Sequence, residues 1–312
     1  MIQWVRGRAE IMYETLDNLR IKARAGVESA ALELKARMLK REKIRLQGLK
    51  GMKMYLIPTE ELWERIASIE SLYQNVSNKN KVKDILLLDA YHSATIEGAR
   101  TTVEHVKKAW TDPKTKDDKM VMNTLRGLNY AYENTITLEN LRFLWEIVTK
   151  DVCENKHLDG ECYRNGMVYV GSASEIVHTP AKPSEIPHLM EALFTFLTET
   201  EMNVWIAACI FHFYFVYVHP YCDGNGRMAR ILTQSFLFFH GKKKIKFLPL
   251  SRAINDSLSG YYATLKQSEN VQSNGEKWLD ITPFIDYMLG AIENCIVTAM
   301  REYNECKLAI IV

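Results

Sequence analysis

The sequence as a whole shows no membrane span, no metal–thiolate spacing and no overall charge that would call for a polyanionic partner. The longest apolar run, VWIAACIFHFYFVYV (Val204–Val218), is fifteen residues long and holds a histidine, short of the roughly 18 to 20 needed to span a bilayer. It reads as a buried core helix, and no membrane partner is expected. The six cysteines (Cys153, Cys162, Cys209, Cys222, Cys295, Cys306) form neither a CxxC pair nor a Cys/His metal spacing. No secretory leader is legible, so reduced thiols and a cytoplasmic location are the expectation. A formal net charge of +2, with 25% charged residues, argues by itself neither for nucleic acid nor for an anionic lipid surface. Internal repeats and low-complexity tracts are absent as well. What is present is 312 residues at 47% hydrophobic, enough for a full globular core.

The charge is unevenly spread. Residues 1–50 hold twelve Lys or Arg against six Asp or Glu, and the rest of the chain nets −4. Val27, Ala31, Leu34 and Met38 repeat at helical spacing and LKREKIRL extends the pattern, so a basic helical arm over 1–50 is expected, ending at the Gly48, Gly51 and Pro58 breaks. It reads first as a bland extension, with a partner-binding helix and a nucleic-acid-touching segment as the other readings. Beyond it the chain reads as almost all helix. Thr59 caps one helix before Glu60 and Glu61, and a second runs from about Lys81 to a stop at Gly98. Thr101 and Glu104 stand at capping-box spacing before HVKKAW. Further helices are expected over 123–132, 138–150, 186–199, 204–218, 226–240 and 282–306. The strand signal is confined to residues 166–183, where Val168 and Val170 alternate before two prolines, giving one hairpin on an all-α body.

The stretch HPYCDGNGRMAR, His219–Arg230, holds a histidine, a carboxylate, two glycines and two arginines in twelve residues. Pro220 ends the preceding helix, DGNG makes a tight turn, and RMARILTQSFLFF resumes helical periodicity. The glycines therefore stand at a helix N-terminus, where free N–H groups and the macrodipole favour phosphate oxygens. Arg227 and Arg230 oppose that dipole unless an anion is bound there. Asp223 reads as a helix cap or as a Mg²⁺ ligand beside phosphates, and His219 as a base suited to neutral pH.

These twelve residues resemble the Fic family signature, HPFx(D/E)GNGRxxR, with Tyr221 in the place of phenylalanine. The resemblance implies a helical core with one β-hairpin flap ahead of the motif. It also implies transfer of a nucleoside monophosphate, usually AMP from ATP, to a Ser, Thr or Tyr hydroxyl of a target protein, self-modification included. By the same resemblance His219 is the general base and Asp223 the Mg²⁺ ligand. Gly224, Asn225 and Gly226 form the anion cradle, and Arg227 and Arg230 hold the β- and γ-phosphates. Cys222 falls at a variable position and is not expected to act as a nucleophile.

SATIEG (Ser93–Gly98) places Glu97 at a helix C-terminus, where a negative charge is least at home. Ser93, Glu97 and Gly98 resemble the family's inhibitory motif, (S/T)xxxE(G/N), whose glutamate reaches the second signature arginine, here Arg230. A self-inhibited adenylyltransferase with a reverse, AMP-removing activity follows from the resemblance. Residues 166–180 resemble the flap that pairs with the target segment, with Val170, Gly171, His178 and Thr179 as contributors; a hairpin that merely covers the core is the other reading. YYATL points to Tyr262 against adenine. The expected organisation is an arm over 1–50, a segment over 51–120 carrying the inhibitory motif, and a catalytic core with C-terminal helices over 121–312. The competing functions are transfer of another phosphate-containing group and a regulatory or scaffolding nucleotide-binding protein.

Overall fold

In the computed structural model, which describes residues 14–76, 82–108, 112–171, 176–273 and 277–309, two helices, α1 (Leu16–Arg24) and α2 (Glu28–Lys40), precede a hairpin of β1 (Glu42–Gln47) and β2 (Lys53–Leu56). Next come α3 (Glu60–Gln74), α4 (Val82–Ile96), α5 (Val103–Lys108), α6 (Lys116–Glu133) and α7 (Leu138–Thr149), then the short hairpin β3 (Val170–Gly171) and β4 (Ile176–His178). Helices α8 (Ile186–Glu199), α9 (Val204–Val218), α10 (Asn225–Phe239), α11 (Leu250–Asp256) and α12 (Leu258–Ser268) follow. The chain then runs through β5 (Val271–Ser273) and β6 (Lys277–Asp280) into α13 (Thr282–Ala309). The fold is predominantly helical, as expected, and carries the expected hairpin.

The centre of the molecule is α9, thirteen of whose fifteen residues are buried, as an all-round apolar helix must be. Its polar atoms are satisfied internally. The Tyr214 hydroxyl donates to the Gln47 carbonyl (2.8 Å) and the Tyr217 hydroxyl accepts from the Leu49 N–H (3.1 Å), so both brace the β1–β2 turn. His212 bonds Thr233 of α10 (2.9 Å) and Tyr261 of α12 (2.9 Å). Among the described residues no helix is long and apolar enough to cross a membrane.

Local capping explains where helices begin. The Thr59 hydroxyl accepts from the Leu62 N–H (3.2 Å) with Glu60 and Glu61 in the first turn of α3. At α5 the cap is Thr102, which accepts from the His105 N–H (3.1 Å), and not Thr101, whose hydroxyl donates to Asp118 (2.8 Å). Residues 109–111 and 172–175, parts of the expected HVKKAW helix and flap, lie outside the described residues.

Two expectations are corrected. LKREKIRL does not continue the arm as helix, because Ile44 and Leu46, 1% and 4% exposed, alternate with charged neighbours and bury one face of a strand. The hairpin at residues 170–178 is also not the sole sheet: β1, β2, β6 and β5 form a second one in that order. Its middle pair is parallel, with Lys53, Met54 and Tyr55 opposite Trp278, Leu279 and Asp280. The arm packs onto this sheet, with Leu16, Leu19 and Ala30 clustering on Ile57 and Trp278.

Candidate active site

The helix α9 ends at His219, whose backbone turns left-handed (φ 55, ψ 62) while its N–H still bonds the Phe215 carbonyl (3.0 Å). That conformation costs a non-glycine residue roughly 1 to 2 kcal/mol, and strain of this kind gathers at functional positions. The Nδ1 atom donates to the Val216 carbonyl (3.2 Å), which leaves the lone pair on Nε2. Burial pushes the ring's pKa down to about 4, helped by His178 and Arg164 and opposed by the Val216 carbonyl and Glu97. At neutral pH His219 is therefore a neutral imidazole with a free acceptor nitrogen.

The helix α10 starts at Asn225 with Gly224 as its N-cap, in the left-handed region at φ 78 and with no side-chain cap. A Cβ on Gly224 would stand 2.7 Å from Thr149 Cγ2, so glycine is needed twice over. Asp223 does not cap this helix. Its Oδ1 accepts from the N–H of the next residue, Gly224 (2.6 Å), and its Oδ2 from the Glu154 N–H (3.1 Å). Both ends of the Asn225 amide grip the Tyr221 backbone (3.0 and 2.8 Å), leaving its main-chain N–H as what it can offer an anion. Arg227 is 2% exposed; Nη1 donates to the Val148 carbonyl (2.9 Å), Nη2 lies 3.8 Å from Asp223, and Nε is buried without a partner. An unpaired guanidinium donor beside an uncapped helix N-terminus is a site built for an anion.

A carboxylate of the protein itself stands over this turn, while the Arg227 Nε stays unpartnered. Arg230, 1% exposed, donates from Nε to the Ser93 hydroxyl (2.8 Å) and from Nη2 to both the Ser93 carbonyl (2.9 Å) and Glu97 Oε1 (2.6 Å). Glu97 Oε1 also occupies the space into which a Cβ on Gly226 would project, so the carboxylate sits over the first turn of α10. Burial raises the Glu97 pKa, but Arg230, then Arg227 and His219, outweigh it and hold the carboxyl below its usual range. Ser93, Glu97, Gly98 and Arg230 are thus brought together from α4 and α10. Gly98, at φ 92, ends α4 with its own N–H on the Thr95 carbonyl (2.9 Å) and the Ala99 N–H on the Ala94 carbonyl (3.1 Å).

On the flap, Val170 pairs with His178 across a bulge, Gly171 pairs with Ile176, and Thr179 is exposed. His178 bridges the Tyr217 carbonyl (2.8 Å) and the Glu269 carboxylate (2.6 Å), tying the hairpin to α9 and to the end of α12. Tyr262, half exposed on α12, packs edge-on against Tyr261 at 5.3 Å and lies within electrostatic reach of Glu97 and Arg230. Cys222 faces Cys153, sulfurs 3.6 Å apart, and burial pushes its thiol up to about 12, which removes it as a nucleophile near neutrality. Two contributors carry no signal in the sequence. Trp145 donates from Nε1 to the Asp223 carbonyl (2.8 Å) and stacks on Tyr221 at 5.1 Å. Arg164 donates to the His219 carbonyl (2.8 Å).

The donor set has limits for a metal. No group of three His, Cys, Asp or Glu converges among the described residues. Asp223 offers one carboxylate, 27% exposed, with lone pairs beyond its two backbone bonds. This fits an ion such as Mg²⁺, which takes one carboxylate and completes its shell with phosphates and water.

Residues 135–237 match the family model described as the Fic/DOC family. Among curated relatives, the protein adenylyltransferase Fic of Drosophila grimshawi is 26% identical over 253 residues, 76% of this chain and 47% of that one. The Drosophila persimilis protein of the same name is 27% identical over 68% of this chain and 40% of its own. The chain thus spans about half the length of the curated relatives it matches, or less. A Fic family protein from Desulfovibrio desulfuricans G20 superposes with a TM-score of 0.66 at 24% identity, covering 78% of this chain and 75% of that one. Fic-1 from C. elegans gives 0.60 at 17%, covering 79% and 74%. The matched stretch, residues 135–237, contains His219, the glycine turn and Arg230, so the similarity to the Fic/DOC family falls on the site described above.

Proposed function

We propose that this chain transfers AMP from ATP to a Ser, Thr or Tyr hydroxyl of a protein and holds itself inactive through Glu97. The Nε2 atom of His219 takes the hydroxyl proton as that oxygen attacks the α-phosphorus, and pyrophosphate leaves. Arg227 and Arg230 bind the β- and γ-phosphates, the N–H groups of Asn225 and Gly226 line the phosphates' path where Gly224 turns the chain, and Tyr262 lies against adenine. Asp223 would hold Mg²⁺, which supplies charge neutralisation on the phosphates when bound. The chain's own contribution is positioning and preorganised charge. Val170, Gly171, His178 and Thr179 present the target segment by strand pairing. The separate thiols of Cys153 and Cys222 suit a reducing compartment such as the cytoplasm.

The observation that carries this reading is the Glu97 carboxylate, seated over Gly226 and hydrogen-bonded to Arg230. A phosphate and a carboxylate cannot share that place, so ATP must compete with Glu97 for Arg230. The test is Glu97→Gly protein incubated with Mg²⁺ and ATP labelled at either the α or the γ position. The expected result is α-label on protein, at least tenfold above the parent and lost when His219→Ala is added. Label from the γ position alone would mean kinase chemistry, and bound ATP with no transfer would mean a regulatory protein. Protein labelled in this way, freed of ATP and incubated with the unsubstituted chain, reads its AMP-removing reaction as labelled AMP released by water.

A further inference from the structure

Arg164 is 2% exposed, and its guanidinium bonds only main-chain carbonyls among the described residues. Nε donates to His219 (2.8 Å), Nη1 to Gly166 (2.8 Å) and Nη2 to Ala181, while the Arg164 backbone N–H donates to the Pro220 carbonyl (3.0 Å). Gly166 lies just before β3 and Ala181 just after β4. One side chain therefore holds both feet of the flap hairpin and the carbonyl of the strained base. A buried cation without a counter-ion is costly, and charge-assisted bonds to several carbonyls are what compensates it. A structural staple alone would be served by neutral donors. The choice of a guanidinium, whose fixed fork spans three acceptors, fits a need for fixed relative placement.

We infer that Arg164 is a positioning residue that locks the His219 turn and the flap into one unit, so that a hydroxyl carried on the flap meets Nε2 in fixed geometry. This rests on the transfer reading above. None of these Arg164 hydrogen bonds goes to the glycine turn, Arg227 or Arg230, so nucleotide binding and base positioning are separable. The guanidinium charge also bears on the His219 ring directly. The charged groups facing that ring are Arg164 from the loop, His178 from β4 and Glu97 from α4; the first two disfavour its protonation and Glu97 favours it.

The experiment compares Arg164→Lys and Arg164→Gln in the Glu97→Gly protein. Each is checked for cooperative unfolding, for ATP affinity, for α-label transfer and for the His219 titration by NMR. Lysine keeps the charge but has one donor atom in place of the fixed fork, so the expected result is ATP affinity within about twofold of the parent and transfer reduced about 10- to 100-fold, with the ring midpoint held. Glutamine loses the charge too, so transfer falls as far and the midpoint moves to higher pH. Folded variants with parental transfer and an unmoved midpoint would overturn the inference. So would loss of ATP binding in step with transfer, or failure of both variants to fold, since either makes Arg164 a general staple. Absence of label in the Glu97→Gly parent would instead count against the transfer reading, and the NMR midpoint in the glutamine variant would still decide the role of Arg164.

Discussion

Two buried polar atoms near the site lack partners, and they mean different things. The Arg227 guanidinium lies against the glycine turn, its Nη2 3.4 Å from where a Cβ on Gly224 would stand, and under the proposed function its unmet Nε bond goes to a phosphate. The Tyr221 hydroxyl has no such destination: the ring is fully buried, stacked on Trp145 and tilted against Tyr163 and Phe215. Burial also drives its phenol well above the usual range. A tyrosine hydroxyl taken into a core needs a hydrogen-bond partner, and among the described residues this one has none. An unpartnered buried hydroxyl costs about 1 to 3 kcal/mol. Tyr221→Phe should therefore stabilise the chain by about 1 kcal/mol, raising Tm by about 2 °C. A lower Tm in a calorimetric scan would show that the hydroxyl is bonded in solution.

The Glu97–Arg230 contact depends on how one helix stops. Glu97 is the C-cap of α4, followed by the left-handed Gly98, and paired bonds to the Thr95 and Ala94 carbonyls fix the turn. A Cβ on Gly98 would meet no atom within 4 Å, so Gly98→Ala strains only the backbone, by about 1 kcal/mol. If that strain loosens Glu97, basal transfer should rise about fivefold, well short of Glu97→Gly; unchanged transfer would mean that Arg230 alone holds the carboxylate. This stop was legible beforehand because Gly98 and a misplaced Glu97 are local signals, as is the dense run from His219 to Arg230. The strand β1 was not legible. Ile44 and Leu46 sit among charges that suit a helix face equally well, and the sheet's middle pairing joins Met54 to Leu279 across most of the chain. Arg164 was invisible for the same reason, since its three acceptors, Gly166, Ala181 and His219, come together only in the fold.

Joining α9, α10 and α12 through one buried imidazole makes the fold itself sensitive to acid. Because the Thr233 hydroxyl already donates to the Ala229 carbonyl (2.7 Å), His212 Nδ1 donates to Thr233 and Nε2 accepts from Tyr261, a neutral ring with both nitrogens used. Burial, aided by the Arg230 charge, pushes its pKa down to about 3, against 6.5 for a free histidine. Between those values the unfolded chain binds a proton that the folded chain refuses. The stability contributed by neutral His212 is therefore complete above about pH 6.5 and is lost as pH falls toward 3, by about 1.4 kcal/mol per pH unit. His219, displaced in the same direction to about 4, adds to the slope over a narrower range. Denaturant unfolding at pH 7.5, 6 and 5 should show a contribution from these two imidazoles to the proton uptake on unfolding that approaches two near pH 5. His212→Gln should remove about one proton of that uptake while lowering stability at pH 7.5, and His219→Ala should remove about one without the same loss. An acid slope left intact by both substitutions would place the titrating groups elsewhere, and a flat profile in the parent chain would mean that neither imidazole is held neutral by the fold.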